Sequence, residues 1–241
     1  MDLGLTDRKA LVTASSKGLG RACAEALIAE GARVYIASRD PHAIEATGRS
    51  IGAMGWSAKD MSKEGHREDL VRAAVEKLGG LDILVVNAGG PPPGTFQSVP
   101  PEAWEQAVQL TLMSAVRLIH EALPHLKRSS QGRIVFISSI SVRQPIPNLV
   151  LSNALRGAVT GLAKTLSREL APERITVNSL APDGILTDRI RELGVMPSSP
   201  MGRFGDPAEF AAACAFLCSR HAAYITGQTL GIDGGSLVGV H

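Results

Sequence analysis

Between Thr13 and Gly20 the chain reads Thr-Ala-Ser-Ser-Lys-Gly-Leu-Gly. Thr13, Ser15, Ser16 and the two glycines leave backbone N–H groups uncovered, and Lys17 adds a positive charge. That combination suits an anion with several oxygens, such as a pyrophosphate. The amides donate, a following helix end supplies partial positive charge, and Gly18 and Gly20 permit close approach and positive φ. The same turn also serves as a bare connection between a strand and a helix, so the surrounding elements decide.

Ala10–Thr13 is an apolar run that reads as a buried strand, and Arg21–Glu30 is built of helix formers and stopped by Gly31. The alternation continues along the chain. Further strands are expected at Arg33–Ala37, Ile83–Val86, Arg133–Ser138, Thr176–Leu180 and Thr229–Ile232, with a short one near Trp56–Lys59. Helices are expected at Gly18–Glu30, Pro41–Ile51, His66–Leu78, Glu102–Leu123, Leu151–Leu170 and Pro207–Ser219. Short, apolar, mostly non-alternating strands predict a parallel sheet covered on both faces, hence a doubly wound α/β fold. No repeat or linker divides residues 1–241, which read as a single Rossmann-type domain. Ligands of such sheets sit at the carboxyl ends of the strands. The relevant loops are Ser15–Lys17, Ser38–Asp40, Asp60–Ser62, Asn87–Gly94, Ser138–Arg143 and Pro182–Asp188. Gly90-Pro-Pro-Pro-Gly94 should form a stiff extended lip.

With 241 residues, 44% of them hydrophobic, the chain can bury one sizeable core. A net charge of +2 points to no nucleic-acid partner. Lys127-Arg128 and Arg133 read as a small solvated basic cluster. Cys23, Cys214 and Cys218 lie in apolar helical sequence, too few for a disulfide framework, and read as core thiols of a reducing cytosol. Neither a leader nor a membrane span is evident, so a cytoplasmic protein is expected. No metal site is expected.

Several loops together resemble one family, the short-chain dehydrogenases/reductases, in particular those related to 3-oxoacyl-acyl-carrier-protein reductase. The segments are Thr13–Gly20, Asp60, Asn87-Ala88-Gly89, Ile134–Ser139, Ile175-Thr-Val-Asn178 with Ala181-Pro182, Thr187-Asp188, and Ile225–Gly235. Each is weak alone; in this order they span essentially the whole chain. The resemblance implies seven parallel strands, a nicotinamide dinucleotide across their carboxyl edge, and a homotetramer. It implies that Thr13–Gly20, with Leu19 in the helix start, cradles the phosphates. By the same resemblance Asp60 and its neighbour Met61 flank the adenine, Asn87-Ala88-Gly89 passes the adenine ribose, and Pro182 and Thr187 border the nicotinamide.

The second strand ends Ala37-Ser38-Arg39. An acidic residue there would accept from a ribose 2′-hydroxyl and repel a 2′-phosphate. Ser38, Arg39 and Lys17 instead favour a phosphate, so NADP(H) is expected over NAD(H). Asp40 precedes Pro41 and reads as a helix N-cap.

The family's proton chemistry uses a Ser, a Tyr thirteen residues later, a Lys four after that, and an Asn on the preceding long helix. Ser139 falls on the Ser position. Ser152 stands where Tyr is expected, Arg156 where Lys is, and Thr111 where Asn is. Ala14 replaces the first glycine of the turn, a methyl accommodated if φ is negative, and Asp183 replaces the glycine after Pro182. Arg156 can donate to ribose hydroxyls but cannot surrender a proton, and Ser152 is a weak acid. Thr187 to Gly202 is short for a substrate lid, which predicts an open pocket. No histidine falls on a site loop. The expectation is an oxidoreductase, 3-oxoacyl reductase-like, acting on a small or acyl-carrier-linked carbonyl with an atypical proton-transfer site. The alternatives are a non-catalytic NADP(H)-binding protein and a scaffold that has lost the cofactor too.

Overall fold

The computed structural model of the chain describes residues 1–63, 65–194 and 196–239. Its strands are β1 Lys9–Thr13, β2 Arg33–Ser38, β3 Gly55–Ala58, β4 Ile83–Val86, β5 Arg133–Ile137, β6 Thr176–Pro182 and β7 Thr229–Ile232. They pair in parallel in the order β3-β2-β1-β4-β5-β6-β7. The helices are α1 Gly18–Ala29, α2 Pro41–Ile51, α3 His66–Leu78, α4 Pro101–Ala107, α5 Ser114–Leu126, α6 Val150–Glu169, α7 Asp188–Leu193 and α8 Pro207–Cys218. The expected elements are present, four with the expected ends and the rest with ends shifted by up to three residues.

Both faces of the sheet are covered, which is why the strands lack polar alternation. In β1, Ala10 and Val12 join one core with α1 and α8, while Leu11 joins the other with α3, α5 and α6. Small residues let α1 and α8 pack closely: Ala22, Cys23, Ala211, Cys214, Ala215 and Cys218 are all buried there. The three cysteines are free, and hydrogen bonding to Cys214 followed by burial pushes the Cys218 thiol well above its ordinary pKa. They are inert core groups.

Two sequence expectations change. Arg133 is not solvated: it is 1% exposed, and its guanidinium donates to the Gly132 and Ser219 carbonyls, tying β5 to the end of α8. Burial lowers its pKa to about 10, so it stays charged at neutral pH. The long helix from Glu102 is three segments, α4, a π-helical turn at Val108–Met113, and α5, which runs through Pro124. A proline so near the end forfeits one helical bond, on an exposed turn.

At the mouth of the sheet the proline lip is anchored. Gly94 bridges Leu149, with the Gly94 amide donating to the Asn148 carbonyl (2.8 Å) and the Val150 amide to the Gly94 carbonyl (3.2 Å). Asn153 of α6 holds the loop from the other side, donating to the Ile146 carbonyl and accepting from its amide. The expected lid is rooted at a second bridge, Ile185 with Gly205. It carries α7 and the exposed Met196 and Met201; Val195 of that lid lies outside the described residues.

Candidate functional site

The chain order reverses between β1 and β4, so the loops that follow them part and leave a crevice. A lock fixes its floor. The Thr13 hydroxyl donates to the Asn87 carbonyl (2.7 Å) and accepts from the Asn87 amide (2.9 Å), and Asn87 Nδ2 donates to the Ala14 carbonyl (3.0 Å). Ser15 is fully buried, its hydroxyl donating to the Val12 and Ala37 carbonyls. Thr13 and Ser15 belong to the turn expected to cradle the phosphates through its backbone; their hydroxyls lie under the turn and hold its shape. Leu19 likewise packs on the core.

Above them the turn is open. Lys17 precedes α1 in extended conformation with no side-chain cap on the helix amides, and the first turn of α1 carries no acidic residue. Those amides and the helix dipole therefore face whatever anion enters. Gly18 has φ +60° and sits across from Thr187, whose methyl would lie 3.8 Å from an added Cβ. At Gly20 a Cβ would come within 2.5 Å of the Ala14 carbonyl and 2.8 Å of Asn87 Nδ2, so only glycine fits beneath the lock.

Ala14 departs from its expectation. Its φ is +47°, the left-handed region, because the turn is shaped for the glycine it replaces. An L-residue there is strained by about 1–2 kcal/mol, and the backbone entropy of glycine offsets about half of that. Ala14→Gly is therefore expected to raise the thermal midpoint by about 2 °C in a calorimetric scan. A lowered midpoint would show that the methyl contributes packing that outweighs its strain.

Beside the turn lies a cavity of about 470 Å³, lined by Ala14, Ser16, Lys17, Ser38, Arg39, Asp60, Met61, Asn87, Ala88 and Gly89 among others. Lys17 and Arg39 are exposed and make no hydrogen bond or ion pair among the described residues. Ser38 is 8% exposed, and its hydroxyl lacks a partner among the described residues. Asp40 is occupied as the N-cap of α2, accepting from the His42 and Ala43 amides. Partial burial raises the pKa of Asp60, but hydrogen bonds from the Ser62 hydroxyl and amide, with the charges of Arg39 and Lys63, outweigh it and keep the group below its ordinary value. Both Ser62 bonds land on Oδ1, which leaves Oδ2 as an acceptor.

Sequence reasoning missed two supports of this pocket. His66 Nδ1 accepts from the Asp60 amide (3.0 Å) and so shapes the loop, although it lies six residues away at the start of α3. Lys59, ion-paired to Asp69 at 2.8 Å, closes one wall. Its place at the end of a predicted strand was the available signal.

The opposite end of the crevice holds the other candidates. Ser139 is half-buried after β5; its Oγ accepts from the Ser141 amide (3.1 Å), which leaves the hydroxyl proton free to donate. Ser152 lies half-buried on the first turn of α6. Arg156, one turn on, donates through Nη1 to the Ile137 (3.0 Å) and Ser138 (3.1 Å) carbonyls, an anchorage that composition did not reveal. Pro182 ends β6, and the Asp183 amide bonds the Ile232 carbonyl. Among the described residues no group of His, Cys, Asp and Glu could hold a metal, and no helix is long and apolar enough to cross a membrane.

Residues 13–236 match the family described as Enoyl-(Acyl carrier protein) reductase. The bovine (Bos taurus) dehydrogenase/reductase SDR family member 4 is 35% identical over 97% of this chain and 88% of its own. The 3-oxoacyl-[acyl-carrier-protein] reductase of Vibrio cholerae is 34% identical over 97% and 98%. The chain belongs to the short-chain dehydrogenase/reductase family. Solved members superpose closely. L-sorbose reductase from Gluconobacter frateurii, complexed with NADPH and L-sorbose, is 31% identical and covers 100% of both chains, with a TM-score of 0.95. An NADPH-bound short-chain oxidoreductase of Pseudomonas aeruginosa PAO1, described as containing an atypical catalytic center, is 29% identical over 97% and 98%, with a TM-score of 0.91.

These relatives and solved neighbours are dehydrogenases and reductases, two of them bound to NADPH, and this member's seven-stranded sheet has the expected architecture. The structure brings Lys17, Arg39, Asp60 and Asn87 together around one cavity. Ser139 follows β5, Arg156 is tied to the end of the same strand, and Ser152 lies one turn earlier on α6.

Proposed function

We propose that this chain is an NADP(H)-dependent oxidoreductase, 3-oxoacyl reductase-like, with a reworked proton-transfer site. One observation carries the cofactor choice: Lys17 and Arg39, which have no ion pair among the described residues, line the same cavity as a buried Ser38 hydroxyl that lacks a partner among the described residues, where the reading puts the ribose 2′-substituent. A 2′-phosphate satisfies all three groups; a bare 2′-hydroxyl leaves two cations unmatched. The NADPH complexes of the sorbose reductase and the Pseudomonas oxidoreductase support the same choice. The cavity and the glycine beneath the turn fit the dinucleotide: Asp60 Oδ2 would take the adenine amino group, and the α1 amides the pyrophosphate.

When bound, the cofactor supplies or accepts the hydride. The chain's own groups then do three things. Ser139 donates its free hydroxyl proton to a substrate oxygen, which polarises the carbonyl. Ser152, or water beside it, delivers the proton. Arg156, permanently charged, holds ribose hydroxyls and takes no part in proton transfer. Positioning survives in such a site, while the lost phenol slows turnover. The family resemblance adds a small or acyl-carrier-linked carbonyl substrate and a homotetramer, and the free buried cysteines support a reducing, cytoplasmic setting.

A non-catalytic NADP(H)-binding role, as a redox sensor or a partner of an active reductase, is the second reading, favoured by the joint presence of Ser152, Arg156 and Thr111. Fluorescence titration with NADPH and NADH, followed by a carbonyl panel, separates the two. The expected result is NADPH binding at least about tenfold tighter than NADH, one charge-assisted contact being worth that much, with slow oxidation on some panel member. Equal affinities would overturn the cofactor choice, and binding without turnover would favour the second reading.

A further inference from the structure

Helix α3 holds the loop after β3 at two points. The buried Arg67 guanidinium donates to the Met61 carbonyl, and His66 Nδ1 accepts from the Asp60 amide at 3.0 Å. Together they fix Asp60 and Met61, which line the cavity of about 470 Å³. The two ties differ in chemistry. A guanidinium keeps its proton throughout. An imidazole changes charge between about pH 5 and 8, and its ring nitrogen accepts a hydrogen bond only while it carries no proton. A backbone amide can only donate, so the tie to Asp60 exists only with the His66 ring neutral and its one proton on Nε2.

The charged groups around the ring come from three elements. On α3, the hydrogen bond and charge of Lys59, then the charges of Arg72 and His66, hold the Asp69 carboxyl below its ordinary range against desolvation. Both Asp69 oxygens are engaged, Oδ2 by Lys59 at the end of β3 and Oδ1 by Arg72. In the loop, Asp60 Oδ1 takes both Ser62 bonds, and Lys63 and Arg39 act on the same carboxylate. Asp60 Oδ2 is the acceptor left open.

We propose that His66 is a positioning residue for Asp60 and that its protonation releases the loop, so that acid weakens the hold on the adenine end of the dinucleotide. A proton on Nδ1 would meet the Asp60 amide hydrogen head-on and break the bond. The ring then offers a donor where it had offered an acceptor, beside a carboxylate with one oxygen open. By linkage, a cofactor that needs the ordered loop favours the neutral ring. The effect on the cofactor rests on the function proposed above; the imidazole–amide bond does not.

Titration with NADP⁺, which survives acid, tests the coupling. Its 2′-phosphate changes charge near pH 6 as well, so the control is His66→Asn, whose Oδ1 stands where Nδ1 stands and does not titrate. Between pH 7.5 and 5.5 the dissociation constant is expected to rise about 3–10-fold more in the unmodified protein than in His66→Asn, the worth of one hydrogen bond. At pH 7.5 the two should agree within about twofold, whereas His66→Ala should be weaker at both pH values. One shared pH profile for the unmodified and Asn proteins would overturn the proposal. Nitrogen NMR of the unmodified protein needs no variant: the His66 ring is expected to carry its proton on Nε2 at pH 7.5, and saturating NADP⁺ to keep it neutral to a lower pH. A proton on Nδ1 at pH 7.5, or uptake at the same pH with and without NADP⁺, also overturns it. Failure to bind NADP⁺ at all would refute the proposed function, while the ring's protonation site and the response of the Asp60 amide to acid would still decide the tie.

Discussion

A variant carrying Ser152→Tyr and Arg156→Lys is expected to reduce carbonyl substrates about 10²–10⁴-fold faster than the unmodified protein, the range that a placed general acid contributes. Residue 152 lies on the first turn of α6, beyond the loop that Asn153 and the Gly94–Leu149 bridge hold in place. A new side chain there would start from a fixed backbone. A phenol titrates near pH 10, far below an aliphatic alcohol, and reaches further into the cleft than serine. Lysine at 156 supplies a charge that both lowers that phenol's pKa and, unlike arginine, exchanges protons. Following NADPH oxidation at saturating cofactor isolates kcat from affinity. A kcat unchanged within about threefold would place the limiting step outside proton transfer. Activity appearing only in the variant would make the natural protein a binder.

Arg39→Asp is expected to weaken NADPH about 10–100-fold and to improve NADH, which inverts the preference. The guanidinium is exposed and has no ion-pair partner among the described residues, so its removal breaks none of the ion pairs described. The loss is of charge-assisted contacts to a phosphate, and the new carboxylate adds repulsion. Exposure limits the effect, since solvent and salt screen the site. Calorimetric titration of both cofactors at two ionic strengths measures it; an NADPH affinity unmoved by the change would exclude Arg39 from the binding site.

Much of the architecture was legible because burial on both faces writes a simple code of short apolar runs separated by amphipathic stretches. The Thr13–Gly20 turn and Asn87 were legible from residue type. What the two do to each other was not: a threonine hydroxyl reads the same whether it meets a ligand or locks two loops. Ala14 misled for a related reason, since alanine signals no positive φ and only the turn around it demands one. The π-helical turn at Thr111 was invisible because one inserted residue leaves the apolar period nearly intact. His66 and Arg133 act through contacts with distant backbone, and the apparent basic cluster dissolved once Arg133 was found beneath Ser219. Departures at 152 and 156 were plain from counting, but the carbonyl anchorage of Arg156 needed the fold.

The bonds between Thr13 and Asn87 join positions 74 residues apart. A crevice made this way exists on neither side of the β1–β4 junction alone. β1, β2 and β3 form one side and β4 to β7 the other, and the lock can close only after β1 has found β4. Such long-range parallel pairing is slow to form. A dinucleotide lying across the junction would work as a clasp. At a free concentration one hundred times its dissociation constant it would add about 2.7 kcal/mol to the stability of the folded chain. The lifetime of this protein would then follow the supply of its cofactor, molecules emptied of it being the first to unfold.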